Sequence, residues 1–392
     1  MKRILRKLIY HDGIQSVIAS LLCILLGLLA GYIVLLCINP SGAWQSILDL
    51  IKNFLGYSKN ALILKNLGNT LVKTAPLILC ALSILFCYKV GLLMCGLSIL
   101  FAYKVGLFNI GAAGQYCAGI GMSLYAALKL GLPWWACLLL GLLAGMLLGA
   151  ISGLLKAFCN VNEVISGIML NWISLYCVNL LLTTVKEPTS PYTLRIANKA
   201  TLPSFGLEHW FNQNKYVTIA IPLAILLAVI IWIVLEKTRF GYELKTTGLN
   251  KHAAKYAGMP EKWNTIVALA LGGALAATGA GLFYLTGMEQ WSCSSSSVPG
   301  MGFNGIAAAF LGGLHPIGVI FSSFFIQHIT DGGMHVDTNL YSAEISQLIS
   351  AIIIYLCGFV LFTKHLLNHV LQKTEKSSLP DKTKQRKGGD NT

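Results

Sequence analysis

Residues Arg239–Pro260 read RFGYELKTTGLNKHAAKYAGMP, a polar and basic island between two long apolar runs, Tyr216–Leu235 and Trp263–Gly287. A chain that only has to turn round between two membrane spans needs a few polar residues. This stretch instead carries a short helical piece between Gly and Tyr punctuation. Asn250 is placed to cap that piece, and Ala253, Ala254, Tyr256 and Ala257 give it a small, smooth face. The pattern predicts a docking helix presented to a partner, with an ordinary solvated basic loop as the alternative.

Outward from this island the chain is apolar almost throughout. Of 392 residues, 55% are hydrophobic and 11% charged, against about 25% charged in a soluble domain, and the mean hydropathy is +0.68. Runs near the roughly 20 apolar residues that a spanning helix needs recur along the length, so no soluble domain remains. The fold class is all-α: a polytopic membrane helix bundle of about ten helices. Three parts are expected: a cytoplasmic N-terminus at 1–13, one transmembrane domain at 14–363 containing the loop 236–262, and a basic tail at 364–392 without apolar periodicity. The 11 cysteines lie almost all in apolar runs with no C-x-x-C spacing, which indicates packing and neither metal nor disulfides.

The N-terminal run Gln15–Cys37 is too long for a signal peptide and lacks a cleavage pattern after it. An amphipathic piece, AWQSILDLIKNFL, follows from Ala43 and is expected at the outer surface. Spans are then expected at 111–130, 134–158, 162–184, 216–235, 263–287 and 345–362. Gly141, Gly145, Gly149 and Gly153 form a stripe at every fourth position, which lets helix backbones approach closely. Phe303–Thr330 is apolar but broken at Gly312-Gly313 and at His315-Pro316, and predicts a re-entrant pair of half-helices around a break at membrane depth.

Lys and Arg number 17 in the segments expected inside (1–13, 236–262 and 364–392) against 7 in those expected outside. The positive-inside bias therefore predicts both termini and the 236–262 loop in the cytoplasm. A close tandem copy complicates the count of spans: ALSILFCYKVGL at Ala81–Leu92 recurs as GLSILFAYKVGL at Gly96–Leu107. Leu71–Phe108 is 38 residues, about 57 Å as one helix, nearly twice the roughly 30 Å apolar core. Two short spans hinged at Tyr88-Lys89-Val90-Gly91 would invert everything downstream. The extra copy is therefore expected to bulge without adding a crossing.

No soluble-enzyme motif is present. There is no H-E-x-x-H, no Walker A loop and no G-x-S-x-G. The serines of Ser292–Ser297 stand without a histidine and carboxylate nearby in sequence, and read as a polar loop.

Five strings in order carry a resemblance: TAPLILCALSILF, YKVGLFNIGAAGQ, NEVISGIMLNWIS, the Arg239–Pro260 stretch and GMGFNGIAAAFLGGLHPIG. They resemble the permease subunits of bacterial ABC importers for ribose-type sugars and nucleosides, in the branch linked to basic-membrane lipoproteins. The likeness covers roughly Asn66–Phe362. It implies a permease in the bacterial cytoplasmic membrane that forms the path for a nucleoside or simple sugar. It implies a second permease subunit, copy or paralogue, and an extracytoplasmic substrate-binding lipoprotein. ATP and Mg would be used by a separate ATPase of two fused cassettes, with no cofactor, metal or catalytic residue in this chain and no nucleic acid as partner. Gly248, Asn250, Ala253, Ala254, Tyr256 and Gly258 fall where the family's coupling helix meets that ATPase. Candidates for the path, at membrane depth, are Asn109, Gln115, Asn171, Trp172, Asn304 and the backbone near Gly312 and His315, with interhelical hydrogen bonding as the alternative role. The chain departs from the family pattern at Ala113, where an acidic residue is usual, and in its tandem copy. The rival reading is a self-sufficient secondary transporter, which would need coupling carboxylates in the spans, where only Glu163 and Glu289 come near.

Overall fold

A computed structural model describes residues 12–40, 42–52, 90–196, 199–206, 218–333, and 348, 349, 351, 352, 355, 356, 359, 362 and 363. The expected N-terminal segment, the upstream part of the tandem copy and the basic tail lie outside the described residues. The described helices are α1 (Asp12–Ile38), α2 (Ala43–Lys52), α3 (Val90–Lys104), α4 (Ala112–Leu128), α5 (Trp134–Cys159), α6 (Glu163–Leu182) and α7 (Ala220–Lys237). They continue as α8 (Arg239–Leu249), α9 (Lys251–Tyr256), α10 (Glu261–Tyr284), α11 (Gly300–Leu311) and α12 (Pro316–Gly333). Among the described residues extended pairing is confined to two isolated bridges, Lys186 with Thr193 and Tyr192 with Ser292. The all-helical membrane architecture is thus as the sequence predicts. α5, α6, α7 and α10 are long and apolar enough to cross a membrane.

The bundle is built round α10, which is buried along most of its length. The glycine stripe of α5 is what lets it in. A Cβ at Gly149 would strike the Leu269 carbonyl oxygen, one at Gly145 would strike the Ala277 methyl and the Gly273 carbonyl, and one at Gly153 would lie 2.8 Å from the Ile266 Cα. Gly141 faces α4 instead, against Ser123 and the Gly119 carbonyl. With lipid tails as apolar as the side chains, close packing of this kind is the main attraction left to hold helices together. Alternation of Gly and Ala on α10 (Gly272, Gly273, Ala276, Ala277, Ala280) completes the seam.

The helices define two ends. At the far end α4–α5, 183–196, 199–206, 218–219 and 285–299 come together: Leu202 donates its amide to the Leu285 carbonyl (3.0 Å), Trp134 to Lys199 (3.3 Å) and Ile219 to Pro203 (3.0 Å). At the opposite end, the loop end, lie α8, α9, the start of α6 and the end of α3.

Two breaks interrupt the helices. α3 stops at Gly106, whose φ of +73° puts it in the left-handed region. Leu107 then donates to Ala102 (3.1 Å) and Gly106 to Tyr103 (2.9 Å), a Schellman stop. The chain passes non-helically through 107–111 back into the bundle before α4 begins. The second break separates α11 from α12 at Gly312–His315, as the sequence predicts, with Gly313 at φ +65° and Leu314 at φ +54°. It lies at the loop end of the bundle. Phe310 packs on Tyr103 and Phe108, and His315 lies within electrostatic range of Glu236, Lys104 and Lys245, so α11 descends to the loop end and α12 climbs back. The turn between the two helices therefore sits at the loop end.

The hinge at 88–91 that the sequence argued against is not formed where it can be judged: Val90 and Gly91 are helical and buried; the expected bulge falls on 81–89, outside the described residues. Valine at Gly149 would push its branched side chain into the α10 backbone. We expect Gly149→Val to cost about 1–3 kcal/mol, read as a lower thermal midpoint of the detergent-solubilised chain. Deleting Ala81–Cys95 would bring Leu77, Ile78, Leu79 and Cys80 to the places of Leu92, Leu93, Met94 and Cys95. These four swaps nearly conserve volume, whereas Ala75 for the buried Val90 and Pro76 for Gly91 at the start of the described helix do not, so we expect the shortened chain to reach the membrane with its stability, read from the thermal midpoint, lowered by about 1–3 kcal/mol.

Candidate functional site

The polar island becomes two helices clamped to the bundle. Thr238 caps α8, its hydroxyl accepting from the Gly241 amide (3.2 Å) and donating to the Val234 carbonyl (2.6 Å). Gly241 has no side chain because the last turn of α7 fills that space: a Cβ there would lie 2.6 Å from the Leu235 Cα. Leu244 and Thr247 are fully buried, and the Thr247 hydroxyl accepts from Asn264 Nδ2 of α10 (3.0 Å) while donating to the Glu243 carbonyl (2.7 Å). Gly248 sits directly on the end of α3. A Cβ there would meet the Lys104 carbonyl oxygen, and would lie 2.9 Å from both the Gly106 nitrogen and the Val105 carbonyl carbon.

α9 follows at once. Asn250 is its cap, with Oδ1 accepting from the Ala253 amide (3.0 Å), as the sequence predicts. Gly258, at φ +76°, turns the chain toward α10, and Met259 donates to the Ala254 carbonyl (3.0 Å). Of the six residues expected on the docking face, Asn250, Ala253, Tyr256 and Gly258 are exposed, whereas Ala254 is fully buried and Gly248 is turned onto α3. Those two hold the helix rather than present it. Tyr256 is 94% exposed and Leu249 89%. The sequence reading passed over Leu249. A hydrophobic residue just before a cap ordinarily folds back on the fourth helical position, here Ala254, but Leu249 points outward. The signal was a leucine in a polar loop.

Deeper in the bundle the path candidates separate into two groups. Asn109 Nδ2 donates to Gln115 Oε1 (2.9 Å) and to Ser98 Oγ (3.3 Å). Asn171 Oδ1 accepts from the Gly114 amide (2.7 Å), and its Nδ2 donates to the Ile110 carbonyl (3.1 Å). Ser174 adds a bond to the Gly114 carbonyl (2.8 Å). Asn109, Gln115 and Asn171 are all buried, so their polar atoms are spent on the break between α3 and α4 and line no open surface in this conformation. Trp172 is 41% exposed and stacks on Tyr176 at 6.3 Å and 26°. Asn304 is half-buried and makes no hydrogen bond among the described residues. The two stand on either side of the first turn of α4, where Asn171 touches Gly114 and Gly302 is pressed onto Ala113. Alanine at 113 is what leaves room for α11; an acidic side chain there would meet the Gly302 backbone.

At the far end the serine-rich loop is structural. Trp291 Nε1 donates to Asn179 Oδ1 (2.9 Å), Asn179 Nδ2 to the Ser295 carbonyl (2.8 Å) and Gln290 Nε2 to the Thr193 carbonyl (2.7 Å). Ser292 bonds Ser294 at 3.2 Å. Among the described residues no group of His, Cys, Asp and Glu could hold a metal ion.

Residues 90–358 match the family described as branched-chain amino acid transport system / permease component; the match begins in α3, which carries the second of the tandem copies. The nucleoside ABC transporter permease protein NupB of Lactococcus lactis subsp. cremoris is 30% identical over 389 residues, covering 96% of this chain and 99% of that protein. The guanosine ABC transporter permease protein NupP of Bacillus subtilis is 29% identical over 353 residues, covering 88% and 94%. The glucose ABC transporter permease protein TsgB13 of Haloferax volcanii is 30% identical over 300 residues, covering 74% of each.

The internal bonds of Asn171 lead to a direct test. Asn171→Leu keeps the volume but leaves the Gly114 amide and Ile110 carbonyl unpaired. We expect a loss of about 1–3 kcal/mol in thermal unfolding. A side chain that served the solute alone would leave stability unchanged and alter only transport.

Proposed function

The chain belongs to the branched-chain amino acid transport system / permease component family and is a multi-pass permease subunit of an ABC importer in the cell membrane; from that premise we propose that it carries a nucleoside. The support is the relatives named for nucleosides and guanosine, which align over nearly the whole of this chain and of themselves. The glucose-named relative covers less. The solute path on this reading runs past Trp172 and Asn304, an aromatic face and a free amide suited to a base or ribose hydroxyls.

We infer further that the loop end faces the cytoplasm and that α9 docks into a separate ATPase of two fused cassettes, which binds the ATP and Mg. A second permease subunit and an extracytoplasmic binding lipoprotein complete the assembly. The single observation that carries the docking reading is the pair Leu249 and Tyr256, two large apolar side chains almost wholly exposed on a capped, clamped helix. Exposed apolar residues held rigidly at a protein's edge are the usual anchors of an interface. Lys251 and Lys255 flank them and suit an acidic rim.

The mechanism follows from how α9 is tied in. Closure of the ATPase moves the docked helix. Through Gly248 that movement reaches the Lys104–Gly106 turn backbone to backbone, with no flexible side chain between. Through Asn264–Thr247 it reaches α10, the central helix. The chain supplies no proton or nucleophile to this cycle; it supplies a lever and a path.

In cells carrying the companion subunits, labelled guanosine is expected to accumulate with the wild-type chain. Tyr256→Ala and Leu249→Asp should each lower that uptake by about tenfold or more, with the chain still in the membrane. Uptake that continues without the ATPase but collapses with an uncoupler would establish the secondary-transporter reading instead. Uptake of ribose alone would overturn the choice of solute.

A further inference from the structure

At the loop end a cavity of about 550 Å³ opens between the α3 break, the start of α6 and α8, lined among others by Tyr103, Lys104, Phe108, Glu163, Lys245 and Leu249. That volume lies in the range of small-molecule sites, roughly 300–1,000 Å³. Its walls are of two kinds. One is aromatic and fixed: Tyr103 and Phe108 both pack on Phe310, at 5.5 Å edge to face and 6.3 Å tilted. The other is charged, and its charges do not cancel. Glu236 holds Lys245 at 2.6 Å and Glu163 holds Lys156 at 2.9 Å, so each carboxylate already has its cation. Lys104 is half-buried, and among the described residues it has no ion pair or hydrogen bond. Lys245 lies close enough to add to its field, which Glu236 opposes.

A half-buried ammonium whose neighbouring carboxylate, Glu236, is already paired with Lys245, beside an accessible cavity, is a place where an anion gains more than it does in water. A small carboxylate would leave most of this volume empty. A phosphate ester with an apolar or aromatic body would fill it. The phosphate is held by lysine as a point charge, and the body lies against Tyr103 and Phe108.

We propose that this cavity binds a phosphate-bearing ligand, with the phosphate on Lys104 beside Lys245 and the remainder of the ligand against Tyr103 and Phe108. Two sources share that chemistry, an anionic phospholipid headgroup and a soluble nucleotide. Only the nucleotide source rests on placing the loop end in the cytoplasm. Leu249 lines the mouth of the cavity as well as the docking face, so occupancy is felt where the partner docks.

The test uses the full chain alone, so that failure of nucleoside import leaves it intact. The chain is placed in phosphatidylcholine nanodiscs and titrated with guanosine monophosphate; in parallel it is moved into nanodiscs of phosphatidylglycerol. In both arms the rate at which an N-hydroxysuccinimide ester acylates the Lys104 amine is followed by peptide mass spectrometry. Lys129, exposed at the far end, serves as the reference. We expect one arm to slow Lys104 acylation by about tenfold and to leave Lys129 unchanged. Protection by the lipid identifies a headgroup site, and protection by the nucleotide a soluble ligand. In the responding arm, with binding of the variants read as protection of the Lys245 amine in the same cavity, Lys104→Gln should weaken binding about ten- to hundredfold and Lys104→Arg should retain it. No protection in either arm, or equal binding by Lys104→Gln, overturns the proposal. The footprint on the unmutated chain decides the matter even where a variant does not fold.

Discussion

Backbone that leaves a helix inside an apolar bundle must find partners for its amides and carbonyls, because no water is there to take them and each orphan costs several kcal/mol. The segment 105–111 is such a departure. α3 ends at the loop end, and the chain then climbs back without helical bonds until α4 begins. Asn171 and Ser174 bond the backbone there, at the Ile110 carbonyl and at Gly114, while Asn109 is held in place by side-chain bonds to Ser98 and Gln115. Much of the bundle follows from that demand. α6 must lie against the break to bring Asn171, so Gly167 has to be bare where the Gly111 nitrogen would stand 2.8 Å from a Cβ. α10 must pass close by, with Gly272 under the Ser98 carbonyl, and the α5 glycines then let α5 close over α10 from the other side.

The same break is what makes the loop end mechanically useful. A continuous helix at 104–111 would present side chains to α8, and side chains yield. A Schellman stop presents backbone, and Gly248 meets it with backbone. On the proposed function, the position where the membrane body is least helical is the position where the lever bears. The lever itself is short and stiff for ordinary reasons: a Thr cap, an Asn cap and one buried Thr–Asn bond. The aromatic wall of the cavity rests on the same turn, since Tyr103 and Phe108 flank Gly106. Anything seated against that wall is one residue from the contact that the lever uses.

Composition and periodicity made the spans legible, because burial in lipid is a property of every residue in a run and averages well. The glycine stripe was legible for a related reason: a helix repeats at the fourth residue, and Gly141, Gly145, Gly149 and Gly153 can do little there except admit a neighbour. The Asn250 cap follows from its position alone. The polar residues were not separable in this way. An asparagine in an apolar span looks the same whether it receives a solute or a neighbouring amide, and only geometry shows that Asn109, Gln115 and Asn171 are already bonded while Trp172 and Asn304 are open. Ala254 and Leu249 changed places for the same reason. In a one-and-a-half-turn helix the buried side is set by what lies beneath it, and composition favours the leucine for the inside.

The tandem copy shows how far local sequence falls short of fixing conformation. The pentapeptide YKVGL occurs at 88–92 and again at 103–107. In the second copy Gly106 is left-handed and ends α3; in the first, Val90, Gly91 and Leu92 are helical and buried in the body of the same α3. Glycine permits both, so it decides neither. What differs is what comes next. After Leu107 stand Phe108, Asn109 and Ile110; the Asn109 side chain is held by Ser98 and Gln115 and the Ile110 carbonyl accepts from Asn171, so leaving the helix is compensated. After Leu92 stand Leu93, Met94 and Cys95, which have nothing to offer an open backbone but fit the core, so staying helical is the only satisfied state. The duplicated strings are therefore not interchangeable in place. The register of this part of the bundle is set by the one asparagine that follows the second copy, and through it by the bonds that hold the break.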